Sequence, residues 1–563
     1  MKSFINSIIP LTLALAICGF LHQNPASGQT SIIVEPSVNL IEGTVAPYNA
    51  IHGGDTLLFR GGNHDYLLIR NLSGEPGKPI VMINFEGIVI IDTDHHFGVS
   101  IENCRYFKFT GSGFPSELYG FRIQRVKNGG GFGIGNMSSD FEIDHVYIAN
   151  VPIGGIYAKT DPDCSFTNTR DKFTQRETRI HDNYLANIGN EAMYIGSTKY
   201  FGQSVHCDDL DTLLMPSLLD GVYIYNNIIN VCGWDGIQVS SASSDCRIYD
   251  NLIMYDSQAE QFGQMAGILL GGGSKCDCYN NNISHGKGSG IESHGLGGYR
   301  IFNNVIIDPG KTFKPNDTLQ MKYGIYLTDV SVQPDSSFNI LFNDIINPKS
   351  DGIRFTSILS KNNKIVSNAI INPGNFDYYE KGNFTFKGKD SYIMIPDSAS
   401  DVLSENNYLA RNGNQAHFDS ANYSLLPGSP LIDTGYPDNL NVEFDFYNHN
   451  RPYNGSYDIG AFEFNPAYLS DNRHPDKIAK VAAPTPNPVR SQFRIDYLTD
   501  KAEPVSLWIL NLNGKTMLKR DIQRVEAGDH ILTAEMGSFP DGAYLYRFQI
   551  GQKVFAGRFL KIR

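Results

Sequence analysis

The sequence predicts an all-β chain, a right-handed parallel β-helix solenoid followed by a small C-terminal β-sandwich. Three observations predict it. An apolar–Asn–apolar motif returns at coil-like intervals through the middle of the chain. A pair made of a small and an apolar residue follows several of these asparagines at a fixed distance. Beyond Pro486 the pattern changes to short alternating strands with hairpin turns.

The motif has an apolar residue, Asn three places on, and a second apolar residue two beyond. It occurs at Ile180/Asn183/Leu185, Ile224/Asn227/Ile229, Ile248/Asn251/Ile253 and Cys278/Asn281/Ile283, then at Ile301/Asn304/Ile306, Ile340/Asn343/Ile345 and Ile365/Asn368/Ile370. Successive asparagines are 44, 24, 30, 23, 39 and 25 residues apart. The short intervals define one coil and the long ones a coil plus an insertion. An Asn at the same bend of each coil can stack its amide on the rungs above and below as a hydrogen-bonded ladder. The second pattern reads Ala192-Met193, Gly236-Ile237, Gly290-Ile291 and Gly352-Ile353, and returns in the two stretched coils as Gly267-Ile268 and Gly324-Ile325. Each coil is thus a set of short period-two strands separated by Gly and Asn turns. The core signatures of leucine-rich repeats and propellers are missing.

Composition agrees. Gly (55), Tyr (30) and Phe (33) are plentiful and Trp (2) is scarce, which favours strands and tight turns. With 41% hydrophobic and 19% charged residues, the chain is neither a disordered tail nor a protein of many membrane spans. Its 563 residues exceed one compact core. The formal net charge of −13 argues against nucleic acid as a partner. No nucleotide-binding glycine loop, zinc-type Cys spacing or serine-nucleophile elbow occurs.

Lys2, an apolar run from Ile8 to Leu21, and Ala26-Ser27-Gly28 form a secretory signal segment over 1–28. The run is shorter than a membrane span, so no transmembrane span is expected in the mature chain. Seven cysteines then remain: Cys104, Cys164, Cys207, Cys232, Cys246, Cys276 and Cys278. An odd number without regular spacing predicts no disulfide framework, and several stand where small core hydrophobes belong.

Gly53-Gly54-Asp55-Thr56-Leu57-Leu58-Phe59-Arg60-Gly61-Gly62 and Gly77-Lys78-Pro79-Ile80 resemble the opening of secreted pectate-lyase-like β-helices. Ser429-Pro430-Leu431-Ile432-Asp433-Thr434-Gly435, Arg451 and Asp458-Ile459-Gly460-Ala461-Phe462-Glu463 resemble the closing segment of bacterial β-helix proteins. The solenoid is placed at 29–464 and a polar linker at 465–485. Pro486-Asn487-Pro488-Val489, the strand Val505–Leu510, Asn513-Gly514-Lys515 and Asp541-Gly542-Ala543 follow, and Lys561-Ile562-Arg563 ends the chain. Residues 486–563 resemble the type IX secretion sorting domain of Bacteroidetes. That resemblance implies export through the outer membrane, the type IX machinery as partner, and a secreted or cell-surface location. The β-helix resemblance implies a polysaccharide substrate and favours a lyase acting on a uronic-acid-containing polymer. A glycoside hydrolase and a non-catalytic glycan-binding adhesin stand as alternatives.

Four inserted stretches, 161–177, 199–219, 255–266 and 309–323, cluster around the strand that follows the small residue, which places a groove on that sheet. Alternation turns Tyr157, Tyr194, Gln238, Glu292, Tyr326 and Arg354 outward as substrate contacts, with Lys159 and His294 two places further on. Glu191 and Asp235 precede the small residue, where the bend leaves their facing open. If the 199–219 insertion hides no coil, they lie on adjacent rungs and can bind Ca²⁺, act as an acid–nucleophile pair, or cap turn amides. Lys159 is a candidate base for β-elimination, with Tyr194 as donor, and His294 a candidate base or acid. Glu142-Ile143-Asp144-His145 resembles part of a pectate lyase motif but lacks its Trp, and reads as an ordinary ladder strand.

Overall fold

A computed structural model describes residues 29–561 apart from 115–116, 318–319, 375–391, 420–422, 466–479, 482–488, 500, 512–514 and 552. The signal segment, most of the linker, Pro486-Asn487-Pro488 and the Asn513-Gly514 turn lie outside the described residues.

The chain winds as a parallel β-helix with three strands to a coil. One middle coil runs through a lead strand, Leu218–Tyr225, a flank strand, Ile228–Cys232, and a groove strand, Ile237–Val239. Groove strands pair in parallel as a 12-stranded sheet from Leu40–Glu42 to Ile393–Met394. Lead and flank strands pair with their own kind in the coils above and below. Among the described residues there is no α-helix, only the 3-10 turns Tyr48–Ala50 and Gly413–Ala416, and no helix is long and apolar enough to cross a membrane.

The repeated residues explain the winding. Ile156, Met193, Ile237, Ile268, Ile291 and Ile325 stack inward from the groove sheet with no exposure. The glycine before five of them has no room for a side chain, and before Met193 stands Ala192, whose methyl is fully buried. A Cβ on Gly290 would stand 2.5 Å from Ile306 Cγ2 and 2.6 Å from the Gly324 carbonyl. The asparagines form the expected ladder between lead and flank strands. Asn251 Oδ1 accepts from the amide (3.1 Å) and the side chain (3.0 Å) of Asn227. Its own Nδ2 donates to the Ile224 carbonyl (2.9 Å) and to Asn281 Oδ1 (3.0 Å). The ladder reaches one coil beyond the sequence motif, to Asn407, because Ser404 stands where the motif has an apolar residue.

The outward face of the flank strands is apolar too, and two segments of the chain cover it. Val305, Ile307, Ile346 and Ile371 lie under Leu425, Leu431, Ile459 and Phe462 of the closing segment. That segment is stapled by a buried ion pair, Arg451 to Glu463 at 3.0 Å, with Arg451 also donating to the Gly460 carbonyl.

Two disulfides correct the cysteine reading: Cys164–Cys207 joins two insertions, and Cys246–Cys276 joins lead strands of neighbouring coils. Their spacing follows loop and coil lengths, which a count along the chain does not reveal. Cys104, Cys232 and Cys278 are free and buried, as core positions require.

The C-terminal unit is antiparallel. Lys480–Val481, Gln492–Thr499 and Gly528–Glu535 form one sheet; Thr516–Val525, Glu503–Asn511, Gly542–Ile550 and Lys553–Lys561 form the other. The end of the expected linker thus belongs to the sandwich.

Candidate active site on the groove sheet

Insertions 161–177 and 199–219 leave the C-terminal ends of groove strands, whereas 255–266 and 309–323 lead into them. The 199–219 insertion is an antiparallel hairpin, Gln203–Cys207 with Leu210–Leu214, and hides no coil. The Cys164–Cys207 disulfide and a Thr169–Pro216 bridge fasten it to its neighbour.

Backbone pairing puts Tyr157, Tyr194, Gln238, Leu269, Glu292, Tyr326 and Arg354 on successive rungs, as the alternation requires. The face is closed at its middle, however. Gln238 has no exposure and Leu269 is buried, so Gln238 is not an accessible substrate contact. Alternation decides which face a side chain takes, not whether that face is open. Tyr200 of the hairpin lies against Gly273, two coils along, with the Arg170 guanidinium 4.4 Å from its ring.

Below this closure stand Tyr157, Lys159, Glu191, Tyr194 and Asp235. The two tyrosine rings meet edge to face at 5.9 Å. Lys159 Nζ is 2.8 Å from Asp161 and 4.7 Å from the centre of the Tyr194 ring. A carboxylate and an aromatic face both attract a cation, so the surroundings of Lys159 suit its ammonium. Glu191 and Asp235 are on adjacent rungs and buried. Burial raises the Glu191 carboxyl, with Lys159 opposing. Burial, then the charges of Glu292 and Glu191, push Asp235 well above the carboxylate range. Asp235 Oδ1 accepts from the Ala266 amide at 2.7 Å, while Oδ2 has no hydrogen-bond partner. Asp256, which the sequence reading passed over, is a further buried acid, raised by burial to about 6.

Above the closure stand Glu292, His294, Tyr326 and Arg354. His294 Nδ1 is 2.6 Å from Thr328 Oγ1, which also reaches the Ser293 carbonyl at 3.5 Å. A hydroxyl that donates to that carbonyl accepts the Nδ1 proton, leaving a lone pair on Nε2. Burial lowers the His294 pKa against the pull of Glu292, whose Oε2 is 3.8 Å from Nε2, which favours the neutral imidazole. The Tyr326 ring meets the His294 ring edge-on at 6.5 Å. Arg354, on the next rung, pairs with Asp351 at 2.9 Å and lies over Tyr323, which packs on Tyr326 at 4.8 Å. Tyr323 and Asp351 stand in the same column as Glu191 and Asp235, and that register was their only signal in the sequence.

Burial favours the neutral form of Glu191 and Asp235, and one oxygen of Asp235 accepts from an amide, so a Ca²⁺ ion at this pair would have to displace their protons. Among the described residues the group able to hold a metal is Glu142, Asp144 and His181, on the lead strands. It includes the ladder strand Glu142-Ile143-Asp144-His145, whose Ile143 points inward as expected. Lys108 fills the place a cation would take there, bonded to Glu142 and 2.9 Å from Asp144. Burial works against the charge on His181, but Asp182 and Glu142 overcome it and raise its pKa to about 9.

No curated protein matches the chain. Among solved structures it is similar to a pectate lyase, Pel9A, with 13% identity over 78% of this chain and 97% of that one and a TM-score of 0.38. It is also similar to an alginate lyase from Paenibacillus sp. str. FPU-7, with 11% identity over 57% and 95% and a TM-score of 0.35. The PL6 family polysaccharide lyase Pedsa3628 from Pseudopedobacter saltans gives 14% over 65% and 90%, with a TM-score of 0.27. Residues 485–561 match the secretion system C-terminal sorting domain. The β-helix is thus the cargo of a type IX sorting domain and is exported to the cell surface or beyond.

Proposed function

We propose that the exported chain is a polysaccharide lyase that cleaves a uronic-acid-containing polymer by β-elimination on the upper part of the groove sheet. The observation that supports this best is a neutral imidazole, a phenol and a guanidinium on three consecutive rungs of one face. Arg354 pairs with the uronate carboxylate and draws charge from the carbon beside it. His294 Nε2 takes the proton from that carbon. Its bonding electrons form the new double bond as the bond to the glycosidic oxygen breaks, and Tyr326 gives that oxygen its proton. The products are one chain with an unsaturated terminal sugar and one with a new reducing end. Lys159, Tyr157 and Tyr194 bind a separate stretch of polymer, the lysine facing another carboxylate.

Hydrolysis by Glu191 and Asp235 is less well supported, since a nucleophile must be ionised and burial raises both groups. The test incubates the full chain with alginate, pectate, glycosaminoglycans and neutral glycans, with and without Ca²⁺, and follows unsaturated products and reducing ends. Unsaturated ends from an acidic polymer are expected. Reducing ends without unsaturation would replace the lyase by a hydrolase, and binding without product would leave an adhesin.

A further inference from the structure

The four-stranded sheet of the sorting domain is apolar on both faces. Along Glu503–Asn511, Val505, Leu507 and Ile509 enter the domain's own core, while Trp508 and Leu510 point the other way and are also buried. On the neighbouring strand, Gly542–Ile550, Tyr546 and Phe548 point into that core, and Leu545 and Arg547 point out. A sheet in a free-standing sandwich has a polar outer face. This one is covered by the β-helix, where Trp508, Leu510 and Leu545 form one apolar cluster with Tyr119, Tyr147 and Tyr184. Tyr147 and Tyr184 are outward residues of flank strands. They belong to the same apolar face that the closing segment covers further along.

The edge of the contact is charged. Arg547, 7% exposed, donates through Nη2 to Asp182 Oδ1 at 3.1 Å and lies 3.3 Å from His145 Nε2, with its guanidinium 5.7 Å from the Trp508 ring. Thr516 Oγ1 donates to Glu117 Oε2 at 3.2 Å. Two apolar faces that would otherwise meet water, joined by a nearly buried ion pair, make a specific interface.

We propose that the flank around Tyr147 and Tyr184 is the docking site of the chain's own sorting domain, latched by Arg547 on Asp182. The export signal is then carried folded down on its cargo. The opposite sheet, with strands Gln492–Thr499 and Gly528–Glu535, is the one left for the secretion machinery to meet. The inference is independent of the glycan chemistry.

The chain has two tryptophans, so Trp234→Phe in the full-length protein leaves Trp508 as its only indole. Acrylamide quenching of its fluorescence then reads the interface. The expected quenching constant is several-fold below that of a free indole. It rises with Asp182→Arg and returns when Arg547→Glu is added to that variant. A constant near the free-indole value in the parent, or one that neither Asp182→Arg nor Arg547→Glu alone changes, overturns the docking. Should Asp182→Arg fail to fold, the parent and Arg547→Glu still decide it.

Discussion

Lys159 and His294 hold the same register position on groove strands four coils apart, and their surroundings make them opposites. Lys159 meets Asp161 and the face of Tyr194, which hold a cation. His294 bonds Thr328 and meets the Tyr326 ring edge-on, and desolvation lowers its pKa although its side chain is as exposed as that of Lys159. In the proposed function, equal register gives unequal chemistry: one end of the face grips charge and the other accepts a proton. The buried stretch at Gln238 and Leu269 separates them.

Substitutions can break this contrast. The largest effect belongs to His294: His294→Gln lowers kcat about 10²- to 10⁴-fold, as removal of a general base does, with polymer retention on affinity gels preserved. Arg354→Lys keeps the charge but loses the planar fork, and lowers kcat/KM on the acidic polymer by about 10- to 100-fold. Thr328→Val removes the Nδ1 partner of the base. It lowers kcat about tenfold and shifts the acid limb of the pH profile, a readout that loss of packing alone would not move. Lys159→Ala is the mildest change, raising KM by no more than about fivefold with kcat unchanged, in keeping with a partly exposed charge already paired with Asp161. A collapse of kcat in Lys159→Ala would reverse the two roles.

Much of this was legible in the sequence because a solenoid writes its geometry as a period. The Asn motif marked the bend, the small residue marked the close approach of neighbouring coils, and together they gave the rung register from Tyr157 to Arg354. Contacts made perpendicular to that period were not legible. The burial of Gln238 is not written in the alternation, and the Cys164–Cys207 bond comes from two loops meeting. The neutral state of His294 depends on burial, which no spacing reports. Leu507-Trp508-Ile509-Leu510 did carry a signal, since an unbroken apolar run marks a strand buried on both faces, and alternation alone does not account for it.

The kcat/KM–pH profile of the full chain on its acidic polymer tests the central claim most directly. With His294 as base, the active form is the neutral imidazole and its pKa is depressed. Activity is then level through neutrality and falls as pH drops below the ordinary histidine value of about 6.5. A rate that is low at neutral pH and climbs toward the lysine range near about 10 would contradict the account and return the proton abstraction to Lys159.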